Sequence, residues 1–274
     1  MTAHSDIVRR PAVAGLFYPG DAATLRATVD ELLAAAARVD AAPPKALVAP
    51  HAGYVYSGPI AATAYAALAA GKDRIRRVVL LGPVHRVPVR GLALPGCDAF
   101  DTPLGRVRID RELADRVGRL PHVITSAAAH AQEHSLEVHL PFLQRVLGAF
   151  TLLPLAVGDA TADDVAAVLD AVWDGDDTLI VVSSDLSHYL PYGEAQRIDR
   201  ATASAILDLS TNLDHQQACG ATPVVGLTLQ ARRRGLTPRL VDLRNSGDTA
   251  GDRSRVVGYG AFTFHDTKDT THAV

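Results

Sequence analysis

Three apolar runs each end in a chemically capable side chain: Lys45-Ala-Leu-Val-Ala-Pro-His51, Arg77-Val-Val-Leu-Leu-Gly-Pro-Val-His85 and Thr178-Leu-Ile-Val-Val-Ser-Ser-Asp185-Leu-Ser-His188. Apolar runs of this length, rich in β-branched residues, read as central strands of a parallel sheet covered on both faces. Polar residues just past the carboxyl ends of such strands lie in the crevice where open α/β sheets bind ligands. Three strands are thus expected to aim imidazoles at what could be one point. Imidazole is the commonest protein ligand for a metal ion.

Working outward, strands alternate with helices. Asp21 is placed to cap a helix running to about Ala37, with Leu25, Val29, Leu32 and Leu33 on one face. An Ala-rich helix is expected over 58–70, short strands or hairpins over the Gly- and Pro-rich 88–109, and a helix from Asp110 to Val117. A helix over 136–147, interrupted early by Pro141, precedes a strand at 151–157 and a helix at 161–173. Helices at 194–209 and 222–234 then lead to closing strands at 238–244 and 255–264. This alternation predicts an α/β fold: one domain over 1–274, with a central mixed, largely parallel sheet flanked by helices. Its ordered core is expected at 7–265, with a flexible tail at 266–274.

Composition narrows the function. The 274 residues are 48% hydrophobic, with 27 basic against 30 acidic side chains and a net charge of −3, and no basic stretch carries interleaved aromatics. Nucleic acid is therefore not the expected partner. The run Arg232-Arg233-Arg234 stands before Gly235, at an expected helix end, where positive charge complements the helix dipole. No apolar stretch of about 18 residues predicts a membrane span. Two cysteines, Cys97 and Cys219, make no disulfide framework, and Met1-Thr-Ala-His-Ser-Asp has no signal-peptide character, so a reducing cytoplasm is expected.

Of the candidate residues, His51 is followed by Gly53, which permits a sharp turn, and His85 repeats the strand-end placement. Asp185 and His188, three apart, can share one side of a turn, with Asp185 also suited to capping a helix. The densest polar cluster is Gln132-Glu133-His134-Ser-Leu-Glu137-Val-His139. It is not a His-Glu-x-x-His zinc motif. His134 and His139, five apart, diverge by about 140° on a helix, so only one is expected at the site. That one is His134, and Glu137 is spaced to orient its ring. Cys219, followed by Gly220 between two helices, either packs as a small hydrophobe or points a thiolate into a cavity. No Gly-x-Ser-x-Gly elbow and no phosphate-binding loop is present.

These motifs resemble a known family. Pro11-Ala-Val-Ala-Gly-Leu-Phe-Tyr-Pro-Gly20, Pro50-His-Ala-Gly-Tyr54 with Ser57-Gly58, Gly82-Pro-Val-His85, Glu133-His-Ser-Leu-Glu137 with Leu140-Pro-Phe-Leu143, Ser183-Ser-Asp-Leu-Ser-His188 and Cys219-Gly220 match the Memo family in order. In bacteria and archaea the family is called AmmeMemoRadiSam system protein B. Its fold is similar to that of the class III extradiol, LigB-like dioxygenases, which hold non-haem Fe(II) with two His and one carboxylate. The resemblance implies His51, His85 and Cys219 as metal ligands, the thiol standing where the dioxygenases have Glu. It implies Asp185 and His188 at the open coordination side. With His134 expected from its own context to line the site, the catalytic set is His188, which would move protons, Asp185 or Glu133, which would tune its basicity, and His134. His139 stands where the family pattern has Gln.

A metal-dependent redox enzyme is thereby implied, with Fe(II) or copper and zinc as a further possibility, acting on an unknown small molecule or peptide. The associated AMME-type and radical-SAM proteins are the implied partners. Two other functions fit the same residues: a peptide- or protein-binding scaffold that retains an enzyme-like cleft, and a zinc-dependent hydrolase.

Overall fold

The computed structural model describes residues 6–37, 42–173 and 175–266. In its first half the chain forms β1 (Val8–Arg9), α1 (Ala22–Ala35), β2 (Ala46–Ala49), α2 (Tyr54–Ala66), β3 (Arg77–Pro83), β4 (Leu92–Leu94), β5 (Ala99–Thr102), β6 (Gly105–Ile109), α3 (Arg111–Val117), β7 (Val123–Thr125) and α4 (Ala127–Ala131). The second half adds α5 (Leu140–Leu147), β8 (Thr151–Val157), α6 (Ala162–Val172), β9 (Thr178–Ser183), β10 (His188–Leu190), α7 (Tyr192–Leu207), α8 (Ala221–Arg234), β11 (Leu236–Asn245) and β12 (Val256–Asp266).

The central strands β6, β8, β3, β9 and β2 lie side by side in that order, all parallel. β12 and then β11 extend the sheet antiparallel beyond β2. The strand pleat sorts the core. Leu47, Ala49, Val78, Leu80, Leu179 and Val181 join one apolar cluster with Leu25 and Val29 of α1, Ile60 and Tyr65 of α2, and Phe142 of α5. Their strand neighbours Ala46, Val48, Val79, Leu81, Ile180 and Val182 join a second cluster with Leu113 of α3, Val165 of α6 and Leu227 of α8. Both faces are buried, which is why these strands read as continuous apolar runs.

The topology also says where a ligand belongs. β9 sits between β2 and β3. The helix after β2 covers one face of the sheet and the helix after β8 covers the other. A crevice is expected outside the carboxyl ends of strands where connections part to opposite faces. Those ends carry His51, His85 and Asp185.

Several local expectations hold in detail. The Asp21 side chain accepts from the Thr24 amide at the start of α1, and α8 ends in its three arginines with Gly235 left-handed at φ +70°. Others shift. α2 begins at Tyr54, directly after Gly53, rather than at residue 58. The expected helix over 136–147 is a 3₁₀ turn at Glu137–His139 followed by α5. Pro141 falls in the first turn of α5, where its missing N–H leaves no bond unmade. β1, β7, α4 and β10 are too short for periodicity to reveal. Asp266 closes β12, and residues 267–274 of the expected tail lie outside the described residues. Among the described residues no helix is long and apolar enough to cross a membrane.

Candidate metal centre

Each imidazole at the crevice is held by its own local device. His51 follows Pro50 at the end of β2 and is buried. Its backbone N–H donates to Asp185 Oδ1 at 2.8 Å, and its Nδ1 lies 2.6 Å from Ser183 Oγ, at the end of β9. That hydroxyl donates its single proton to the Ser135 carbonyl at 2.6 Å. Ser183 must therefore accept from His51 Nδ1–H, and the lone pair of His51 is on Nε2. Burial, with His134 and His85 close by, holds the His51 pKa well below its ordinary value. A neutral imidazole is the form that binds a metal.

His85 and His134 share one carboxylate. Glu133, buried in the loop after α4, accepts from His85 Nδ1 at 2.9 Å and from the His85 amide at 2.5 Å. It also accepts from the His134 and Ser135 amides at 2.9 and 3.1 Å, and lies 3.2 Å from His134 Nδ1. Burial alone would raise this carboxyl, but the donors from His134 and His85 outweigh it and hold Glu133 far below the usual carboxylate range. An ionised carboxylate can only accept, so it takes Nδ1–H from His85 and faces Nδ1 of His134, which leaves Nε2 of each ring as the nitrogen available to a metal.

The outcome is a cluster. One ring nitrogen from each of His51, His85 and His134 lies within 4.8 Å of the others. The ring centroids are 4.6 to 5.4 Å apart, and Phe17 covers the His134 ring at 4.8 Å. The chemistry of the donors fits an ion: three imidazoles, each with its Nδ1 against an oxygen of Ser183 or Glu133, suit zinc, copper, iron or nickel.

This nitrogen set differs in its third member from the two-His, one-Cys set implied by family resemblance. Cys219 is nonetheless adjacent, its Sγ 3.4 Å from His51 Nε2 and 3.3 Å from the Asp185 amide. Burial, then the Asp185 charge, pushes the thiol up to about 12. His134, expected to line the site, is drawn into the cluster by Glu133.

Glu137 does not orient His134, contrary to its spacing. It is buried among the donors of the N-terminal arm, ion-paired with Arg9 and accepting from the Ala12 and Val13 amides and from Tyr18 Oη. Glu133 and Glu137 are four apart in a segment that is not a continuous helix, so the two carboxylates turn to opposite tasks. His139 is turned away, with Nδ1 2.7 Å from Tyr65 Oη.

Asp185 caps no helix. Its carboxylate lies against the backbone and ring of His51, with Oδ2 3.9 Å from Nε2, and burial raises its pKa. His188 directs Nδ1–H to the Leu186 carbonyl at 2.8 Å, leaving Nε2 as a base. Both line, with the three clustered histidines, a cleft of about 610 Å³. Phe17, Tyr56, Tyr189 and Tyr259 supply apolar walls, and Arg255 and Asp252 stand among the lining residues. Sequence reasoning missed Ser183 as the partner of His51, and it missed Tyr189 and Arg255. The Ser183-Ser-Asp-Leu-Ser-His188 motif contained the first, but its strand-end register was needed to see it.

A family model described as Memo-like protein matches residues 9–263. The chain belongs to the Memo-like family. A MEMO1 family protein of Aquifex aeolicus is 40% identical over 269 residues, covering 94% of this chain and 99% of the relative. MEMO1 family protein MTH_45 of Methanothermobacter thermautotrophicus is 38% identical over 279 residues, covering 92% and 99%. Among solved structures, the uncharacterized protein JW3007 of Escherichia coli K12 superposes with a TM-score of 0.54 over 79% of this Memo-like chain and 98% of its own. At 16% identity that likeness concerns the fold alone.

Proposed function

We propose that this Memo-like protein is a metal-dependent redox enzyme acting on a small molecule in the cleft, with His51, His85 and His134 holding iron(II) or copper. The observation that carries this is the convergence of three imidazoles, each with Nδ1 against an oxygen of Ser183 or Glu133, on the wall of a cleft of about 610 Å³. Cavities of this size take small organic ligands. When bound, the ion would supply Lewis acidity and a one-electron couple.

The chain's own residues supply the rest. Glu133 orients two ligands and adds negative charge behind them. Ser183 fixes the tautomer of the third. His188 Nε2 faces the same cleft and takes or returns a proton from a bound ligand. Asp185 braces the His51 backbone and biases the charge at that end. The Cys219 sulfur beside His51 Nε2 is a soft donor within reach of the same centre, as the family resemblance implies.

A second reading is favoured by the all-imidazole set itself: three His and an open position also describe catalytic zinc, which lowers the pKa of a bound water for hydrolysis. Anaerobic purification followed by metal analysis separates the two. Co-purifying iron or copper, lost in His51→Ala and accompanied by dioxygen- or oxidant-dependent turnover, is the expected result. Zinc alone, with hydrolysis of an ester or amide panel, would replace the redox assignment by the hydrolytic one.

A further inference from the structure

The cleft has a second end, built differently from the first. In the pairing of β10 with β12, His188 stands opposite Val257 and Leu190 opposite Val256, so Tyr189 is an extra residue in a β-bulge. Its φ is +59°, in the left-handed region where glycine is relaxed and a side chain is not. Packing does not account for a tyrosine there, because the side chain is 63% exposed. The bulge instead re-aims the ring to the cleft, edge-on to His188 at 5.8 Å and beneath the Arg255 guanidinium at 5.3 Å.

Arg255 precedes Val256, the partner of Leu190, so the same bulge sets the two side chains face to face. Arg255 is set apart by its place: among the described residues it is the arginine that lines the cleft, and its contact there is the Tyr189 ring rather than a carboxylate. The other charge at this end, Asp252, accepts from the Ser254 amide. A guanidinium over the face of an aromatic ring spends none of its N–H donors on a carboxylate and keeps them for a planar or tetrahedral oxyanion.

We propose that Tyr189 and Arg255 form an oxyanion-recognition end of the cleft. They would take a carboxylate or phosphate group of a small organic ligand whose other end reaches the three imidazoles. The proposal rests on the cleft being the ligand site. It assigns Tyr189 the orienting of Arg255, and Arg255 the direct contact.

Titration calorimetry with benzoate, phenyl phosphate and neutral benzamide tests this. It is run on chelated protein, where no carboxylate can answer to a metal, and again on zinc-loaded protein. At least one anion is expected to bind about tenfold or more tighter than benzamide, and the tighter anion identifies the group. Arg255→Gln should abolish that preference. Tyr189→Gly should raise Tm by about 2–4 °C by relaxing the backbone, while weakening the anion by about threefold or more.

Equal affinity for benzamide, no saturable binding of either anion, or a preference that survives Arg255→Gln would overturn the proposal. Unchanged anion affinity in Tyr189→Gly would also overturn it. Zinc binding is titrated separately, so loss of the metal centre and loss of the anion site are distinguishable.

Discussion

At the residue scale, Glu133 is the side chain on which most of the centre depends, because one carboxylate fixes two imidazoles and three amides. Glu133→Gln replaces an acceptor by a donor facing N–H groups. Metal affinity in a chelator-competition titration is expected to fall about 10–100-fold, and stability by about 1–3 kcal/mol in urea unfolding. The two candidate third ligands can be separated directly. If His134 completes the set, His134→Ala loses more than about 100-fold in metal affinity while Cys219→Ser stays within about threefold. The reverse order would assign the position to Cys219. Ser183, Glu133 and the strand-end histidines were all present in the motifs, yet which carboxylate served which ring was not legible. Spacing suggested Glu137, since three residues on a helix are neighbours. The segment is helical only from Glu137 onward, so that neighbourhood never forms.

At the scale of elements, the segment 130–137 is pinned from a distant part of the chain. Arg9, in β1, donates to the His130 and Glu133 carbonyls at 3.0 and 2.7 Å and pairs with Glu137, all out of solvent. Glu137→Ala would leave this guanidinium buried and uncompensated. A loss of about 3–5 kcal/mol is expected in denaturant unfolding, with weakened metal binding because His134 sits on the same segment. On the opposite side Gly82, in β3, makes room for the serines that seat His51. A Cβ there would come within 2.9 Å of Ser135 Oγ and 3.1 Å of Ser183 Cβ. Gly82→Ala is expected to cost about 1–3 kcal/mol, read as a lower midpoint with an unchanged m-value. The long elements were legible from period and caps. β1, two residues long, was not, although it carries one of the most heavily bonded side chains in the fold.

For the whole molecule, burial of neutral histidines sets an acid limit. His130 and His139 are held down to about 4 and about 3, in each case chiefly by burial. Both stay neutral in the fold while the unfolded chain takes up protons below its ordinary 6.5. Stability is thus expected to be fully present above that pH and to fall as pH drops toward 4 and 3. The slope is up to about 1.4 kcal/mol per pH unit for each group. Urea midpoints between pH 7 and 4 check this, and His139→Leu should flatten the slope. By itself the sequence determined the layered α/β architecture and the crevice, because buried parallel strands must be apolar throughout and their carboxyl ends must carry the polar residues. Only the tertiary structure decided which nitrogens meet, which carboxylate orients them and what faces them across the cleft. Those depend on hydrogen bonds between segments more than forty residues apart, such as Glu133 with His85 and Ser183 with His51, and on a bulge at Tyr189. Neither periodicity nor spacing encodes such contacts.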